Sequence, residues 1–151
     1  MILNQQKRVP VRVHALEKFL QRALRMLRLG PEAATVCLVS EARMAQWNGA
    51  YRGKKKPTDV LSFSAEGATR RRAAHGRAAA FPKKESRYLG DIAIAPGVAG
   101  RNARAAGHSL NQEVCVLTLH GLLHLMGYDH ETDNGTMERL EERLRHKLGI
   151  R

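Results

Sequence analysis

Residues 109–130 read SLNQEVCVLTLHGLLHLMGYDH, and this stretch decides the fold. Ser109 is followed three residues later by Gln112, which is the spacing of a capping box and predicts the start of a helix. We expect the helix to run to about Met126, and Gly127 fits the left-handed residue that closes a helix. The stretch therefore predicts the central helix of the domain.

Three of the seven histidines lie in this stretch. His120 and His124 are four residues apart, so both imidazoles project from one face of the predicted helix. Gly127 lets the chain turn sharply and return His130 toward that pair. Three neutral imidazoles with an open fourth position are the ligand set of a catalytic zinc ion. Nickel and cobalt also suit imidazole, so the pattern favours zinc without proving it.

The spacing of these histidines equals that of metzincin proteases, H-E-x-x-H-x-x-G-x-x-H, except at one position. In those enzymes the glutamate after the first histidine is the general base, and here that residue is Gly121. General acid–base help is typically worth about 10²–10⁴-fold in rate. Peptide cleavage is therefore the weaker hypothesis. It would require the carboxylate of Asp59 or Asp91 to reach the metal-bound water and act as the general base. A phosphodiester fits better, because its cleavage depends more on charge stabilisation.

The rest of the chain predicts a small domain around this helix. Apolar periodicity predicts helices at residues 13–29, from 40 toward 48, and at 134–148. Gly30-Pro31 ends the first of these helices, and a helical region follows Pro96-Gly97. Short apolar runs bounded by turn residues predict strands at 34–40, 59–63 and 89–95. Helices and strands do not alternate regularly. We expect one α+β domain over residues 1–151, with a mixed sheet of about four strands covered by helices. Residues 69–87 are expected to form a basic, mobile loop.

The charge of the chain is large and unevenly placed. Its 151 residues include 26 Lys and Arg against 14 Asp and Glu, a formal net charge of +12. Seven basic residues lie within residues 1–30 and eleven within 51–90, whereas six acids fall within 129–142. Such a surface favours a polyanion partner bound with salt-dependent affinity, although a solvated basic face is the alternative. With three Phe, three Tyr and one Trp, no aromatic platform for stacking bases is evident.

Composition also sets several classes of protein aside. No apolar run approaches the roughly 18–20 residues that span a bilayer. Residues 1–10 have neither the apolar core nor the cleavage site of a secretory signal. We therefore expect a cytoplasmic protein with no membrane partner. Cys37 and Cys115 lie in apolar contexts and are expected to be buried, reduced thiols.

Three blocks of this sequence resemble the YbeY family of bacterial metallo-endoribonucleases. Residues 120–130, HGLLHLMGYDH, resemble the family's H-G-x-L-H-L-x-G-Y-D-H. Residues 48–63, NGAYRGKKKPTDVLSF, resemble its N-x-x-Y-R-G-x-x-x-P-T-D-V-L-S-F, and residues 89–92 match its L-G-D-I strand. The blocks lie in the family's order and cover most of residues 41–130. The chain departs from the family mainly in its Arg-rich segment at 69–87 and its short tail after the last helix.

The resemblance implies a zinc-dependent endoribonuclease specific for single-stranded RNA. It implies a role in ribosomal RNA processing, notably 3′-end maturation of the small-subunit 16S rRNA, and in ribosome quality control. The implied partners are ribosomal RNA and the ribosome or its proteins. The alternative function is a non-catalytic, ribosome-associated RNA-binding assembly factor with a structural metal. An open fourth coordination position argues against that alternative, because structural zinc sites usually have four protein ligands.

The resemblance also implies the site residues. One Zn²⁺ would be held by His120, His124 and His130, which would then be catalytic, and Arg52 matches the family's functional arginine in the Y-R-G segment. A guanidinium suits this role because it grips a phosphate with two hydrogen bonds. The alternative for Arg52 is a structural role, paired with Asp59 or with a helix C-terminus.

Overall fold

A computed structural model describes residues 1–53, 58–65, 88–129 and 134–150, except the side chains of residues 51 and 52. The described elements are, in chain order, β1 (Ile2–Asn4), α1 (Val13–Met26), β2 (Ala34–Leu38), α2 (Glu41–Arg52), β3 (Val60–Ser64), β4 (Gly90–Ile94), α3 (Pro96–Ala106), α4 (Leu110–Leu125) and α5 (Thr136–Leu148). The predicted loop at 69–87 lies outside these residues.

The four strands form one mixed sheet in the order β1-β2-β4-β3. β1 and β2 are parallel, as are β2 and β4, whereas β3 runs antiparallel to β4. In the middle of the sheet, Ile92 pairs with Val36 on one side and with Ser62 on the other. The predicted α+β class with a small mixed sheet is confirmed.

Helix α4 lies at the centre of the structure. It packs on β3 and β4, and α1, α3 and α5 pack against it. The sheet residues that face it, including Val36, Ile92 and Ile94, are fully buried. The opposite face of the sheet is covered by α2, whose Met44 joins a second, smaller cluster with Leu61. Among the described helices, none is long and apolar enough to cross a membrane.

The end of α1 differs from its prediction. The helix stops at Met26 because Arg28 adopts a left-handed conformation, with φ of 61°. The amide of Leu29 then donates to the carbonyl of Leu24 at 2.8 Å, which closes the last turn. The predicted end at residue 29 was wrong because Leu27 and Leu29 remain buried beyond the helix and extend its apolar pattern.

The two cysteines are unpaired, as predicted, but they are half-buried rather than buried. Burial raises the pKa of the Cys115 thiol to about 11. Burial also raises the pKa of Cys37, and the negative charge of nearby Asp91 adds to that effect. Both thiols are therefore protonated at neutral pH.

Candidate metal centre on helix α4

The ends of α4 follow the local chemistry of the sequence. The Ser109 hydroxyl accepts a hydrogen bond from the backbone N–H of Gln112 at 3.1 Å, which caps the first turn of the helix as predicted. At the other end, Gly127 has a φ of 103°, and the Tyr128 amide donates to the Leu123 carbonyl at 3.1 Å. This left-handed turn brings the Tyr128 backbone back beside the last turn of the helix.

His120 and His124 meet on the face of α4 where the sequence predicts them. Their ring centroids are 4.5 Å apart, and the ring planes are nearly perpendicular at 79°. The two Nε2 atoms point at each other across 3.0 Å. Two nitrogen ligands at about 2.0–2.1 Å from a tetrahedral zinc ion lie about 3.3 Å apart, so this spacing is within a few tenths of an ångström of a ligand pair.

The other ring nitrogen of each histidine has its own acceptor. Nδ1 of His124 lies 3.0 Å from the Tyr128 carbonyl oxygen, and Nδ1 of His120 lies 2.8 Å from Oε1 of Glu141. A carbonyl oxygen and a carboxylate oxygen accept hydrogen bonds, so the proton of each neutral ring lies on Nδ1. Both Nε2 atoms then present lone pairs to each other, an arrangement that a bound cation stabilises. The pair therefore fits a metal ion.

The remaining predicted site residues lie partly outside the described chain. His130, the third predicted ligand, is not among the described residues, and no group of three His, Cys, Asp or Glu side chains within them is placed to hold one metal ion. Arg52 is the last residue of α2, which Gly53 closes with a φ of 70°. The side chain of Arg52 and residues Lys54–Lys56 are also not among the parts of the chain that the structure describes.

Gly121 has a packing role that the sequence comparison with metzincins does not reveal. A Cβ atom at this position would lie 2.7 Å from Cγ2 of Ile92, closer than real contacts allow. The carbonyl of Gly121 also accepts a hydrogen bond from the Ser62 hydroxyl at 3.3 Å. The three sequence blocks of the resemblance therefore meet at this glycine, next to His120.

Asp59 and Asp91, the two carboxylates that could act as the general base of a protease, lie away from the histidine pair. Asp91 precedes Ile92 in β4, so its side chain points to the opposite face of the sheet, where it accepts a hydrogen bond from the Tyr88 hydroxyl. Asp59 accepts a hydrogen bond from Asn102 of α3 at 3.2 Å. Neither supplies a base at the histidine pair, which further weakens the protease hypothesis.

Glu141 is the site residue that sequence analysis missed. It is 21 positions from His120, and no spacing rule connects two such distant residues. The available signal was indirect. The apolar residues of the last helix (Met137, Leu140, Leu144 and Leu148) predict its buried face, and Glu141 lies next to Leu140 at the edge of that face. Only the packing of α5 beside α4 turns that position into a contact with His120.

A shallow surface hollow of about 560 Å³ lies on the exposed side of α5. Its lining residues are Thr136, Arg139, Glu142, Arg143, His146 and Lys147. The histidine pair does not line it. The hollow is therefore a basic surface on a helix that contacts the candidate site through Glu141, and is separate from the site itself.

Fold and site together define a class of protein, a small α+β domain whose central helix carries two histidines with converging Nε2 atoms. The family described as Endoribonuclease YbeY matches residues 1–149 of the chain. The chain belongs to the YbeY endoribonuclease family, as the sequence blocks predicted.

Individual relatives agree with this assignment. The Endoribonuclease YbeY of Moorella thermoacetica is 38% identical over 99% of this chain and 97% of its own length. The protein of the same name from Solibacter usitatus is 38% identical over 90% of this chain and 79% of its own. A solution structure of a Thermotoga maritima protein shares the fold, with a TM-score of 0.59 and 24% identity over 98% of this chain and 89% of that one.

Proposed function

We propose that this protein is a zinc-dependent endoribonuclease that cleaves single-stranded RNA during ribosomal RNA processing in the cytoplasm. The relatives that support the proposal are named endoribonucleases. The observation that carries it is the convergence of the His120 and His124 Nε2 atoms at 3.0 Å. Maturation of the 16S rRNA 3′ end and ribosome quality control are the parts of the proposal that rest on the family resemblance.

His120, His124 and His130 would hold the zinc ion. Three protein ligands leave one coordination position open, and a zinc ion there supplies a Lewis acid and lowers the pKa of bound water toward neutrality. The Nδ1 contacts of His120 and His124 place the proton of each neutral ring on Nδ1 and leave Nε2 as the metal-binding nitrogen. Arg52, at the end of α2, would bind the phosphate and neutralise the charge that develops on it.

The exposed side of α5 provides a surface for the RNA strand. Arg139, Arg143 and Lys147 follow each other at intervals of four residues and line the surface hollow. Like charges at this spacing repel and destabilise an isolated helix, whereas a polyanion neutralises them. Because Glu141 of the same helix contacts His120, the row lies on an element that borders the candidate site.

Cleavage of an end-labelled single-stranded RNA tests the proposal. We expect the purified wild type to cut the RNA and His124→Ala, prepared identically, to have lost both cleavage and bound zinc. His14→Ala is the matched control, because it removes an exposed histidine of α1 and should cut like the wild type.

Equal cutting by the wild type and His124→Ala would mean that the histidine pair is not the active site. RNA binding without cleavage in all three preparations, with zinc bound by the wild type, would favour the alternative of a ribosome-associated assembly factor.

A further inference from the structure

We propose that Glu141 of α5, which lies within ion-pair distance of Arg145, is a positioning residue that orients His120 for metal binding. The inference rests on the proposed function, because it requires His120 to be a ligand. Glu141 touches neither the RNA nor the metal in this proposal. It acts through the imidazole of His120.

The contact has the geometry that this role requires. Oε1 of Glu141 lies 2.8 Å from Nδ1 of His120, and only 15% of the Glu141 side chain is exposed. The second carboxylate oxygen, Oε2, lies 3.9 Å from Nη1 of Arg145, one turn further along α5. The carboxylate therefore contacts the histidine with one oxygen and lies within ion-pair distance of the arginine with the other.

The two histidines of the pair are held in different ways. The Nδ1 of His124 donates to a backbone carbonyl four residues away, which belongs to the same helix end. The Nδ1 of His120 instead depends on a side chain from another helix. His120 is therefore the member of the pair whose Nδ1 partner a single side-chain substitution can remove.

The position of Glu141 is fixed by the packing of α5. On either side of it along the helix, Leu140 and Leu144 are buried in the main core, together with Met137 and Leu148. Helix α5 packs directly against α4. The carboxylate thus stands at a fixed place beside His120 before any metal binds, and its negative charge adds to the attraction for a cation.

A carboxylate on the far nitrogen of a ligand histidine fixes its tautomer, restrains its ring and increases the basicity of the metal-binding nitrogen. Removing such a partner typically lowers metal affinity by about 10–100-fold. We expect that loss in Glu141→Ala. Glu141→Gln should recover part of it, because the amide oxygen still accepts from Nδ1 although the charge is gone. Arg145→Met should cause a smaller, several-fold loss.

The experiment is a zinc titration against a chromophoric chelator, using the full chain and checking the fold of each variant by circular dichroism. Glu142→Ala is the matched control, because it removes the same charge from the neighbouring, exposed position of the same helix. We expect its zinc affinity to equal that of the wild type. The isosteric Glu141→Gln decides the question if Glu141→Ala does not fold.

A second measurement separates positioning from general stability. In the zinc-free protein, ¹⁵N chemical shifts should show His120 protonated on Nδ1 in the wild type and in Glu142→Ala, and a shift toward the Nε2-protonated tautomer in Glu141→Ala. An unchanged tautomer together with unchanged zinc affinity in folded Glu141→Ala would overturn the inference.

Failure of the proposed function has a different signature. If the wild type binds zinc no better than His124→Ala, the metal site itself is wrong. If the wild type binds tightly, His124→Ala does not, and both Glu141 variants match Glu142→Ala, then only the positioning role is wrong.

Discussion

The two faces of the central sheet are built differently. On the face under α4, Val36, Ile92 and Ile94 are fully buried in the main core. On the opposite face, Cys37 is half-buried and Asp91 is exposed, within the described part of the chain. The histidine pair belongs to the tightly packed side. The 3.0 Å separation of the two Nε2 atoms is set within α4, whereas the contact between His120 and Glu141 depends on how closely α5 packs against that helix.

The opposite side holds the smaller apolar cluster, in which Met44, Leu61 and Ala93 are buried. Trp47 of α2 meets Phe63 of β3 edge to face, with 5.6 Å between their centroids. Glu41 at the start of α2 forms a two-bond ion pair with Arg101 of α3, at 2.7 and 3.1 Å. These contacts hold α2 in place without a large buried core. We therefore expect substitutions to cost less stability on the face under α2 than on the face under α4.

Neighbouring residues of β4 offer the strongest test of this difference. Ile92→Ala empties a fully buried position and should lower the free energy of unfolding by about 2–5 kcal/mol. Asp91→Ala, on the opposite face, should cost less than about 1 kcal/mol, since it removes one exposed hydrogen bond to Tyr88. Urea denaturation measures both, and equal losses would contradict the comparison.

The contact between α4 and β4 can be tested from the helix side. Gly121→Ala improves helix propensity, but its Cβ would lie 2.7 Å from Cγ2 of Ile92. We expect a net loss of about 1–3 kcal/mol from overpacking. In the double variant with Ile92→Ala, the added methyl occupies space that the shortened side chain leaves, so the combined loss should be smaller than the sum. Additive losses would show that the close approach is not the cause.

The row of basic residues on the exposed side of α5 can be tested as the proposed RNA-binding surface. Arg143→Glu together with Lys147→Glu should weaken binding of an uncleaved single-stranded RNA. If both residues contact phosphates, removing the two contacts makes the negative slope of log affinity against log salt shallower by about 1.4. Zinc affinity should not change. Charge reversal of Arg22 and Arg25 on α1 is the control, and an equal effect there would indicate a nonspecific charge effect.

The smallest effect on the free energy of unfolding is expected at the ion pair between Glu41 of α2 and Arg101 of α3. The hydrogen bonds from Arg101 hold the pKa of Glu41 below its ordinary value of 4.5. A lowered pKa in the folded state stabilises the protein above the unfolded-state pKa, and this contribution is lost as the pH falls toward the folded-state pKa. Glu41→Gln should therefore be slightly less stable at pH 7.

The difference in unfolding free energy between Glu41→Gln and the wild type should narrow as the pH is lowered through the range in which Glu41 takes up a proton. High salt should also reduce it, because both side chains are partly exposed. A difference that grows at acidic pH would have the wrong sign for this ion pair.

Local chemistry predicted the parts of the fold that short stretches of sequence determine. Ser109 and Gly127 mark the ends of α4 because caps act within a few residues. Strand β1 was not located, since its three residues show no buried pattern and the strand exists through its pairing with β2. The contact of Glu141 was missed for the same reason: packing between distant segments creates it.

The order of the strands has a further consequence for folding kinetics. The central pair joins β2 to β4, and its registered partners, such as Ala34 and Gly90, are 56 positions apart. A parallel pairing at this separation forms only after a long segment of chain has closed on itself, and pairings of this kind are intrinsically slow to form. The cost grows slowly with length, by about 0.6 kcal/mol for each doubling of the loop. Insertions between β3 and β4 should therefore change equilibrium stability little, and we expect the search for the β2–β4 pairing to limit the folding rate.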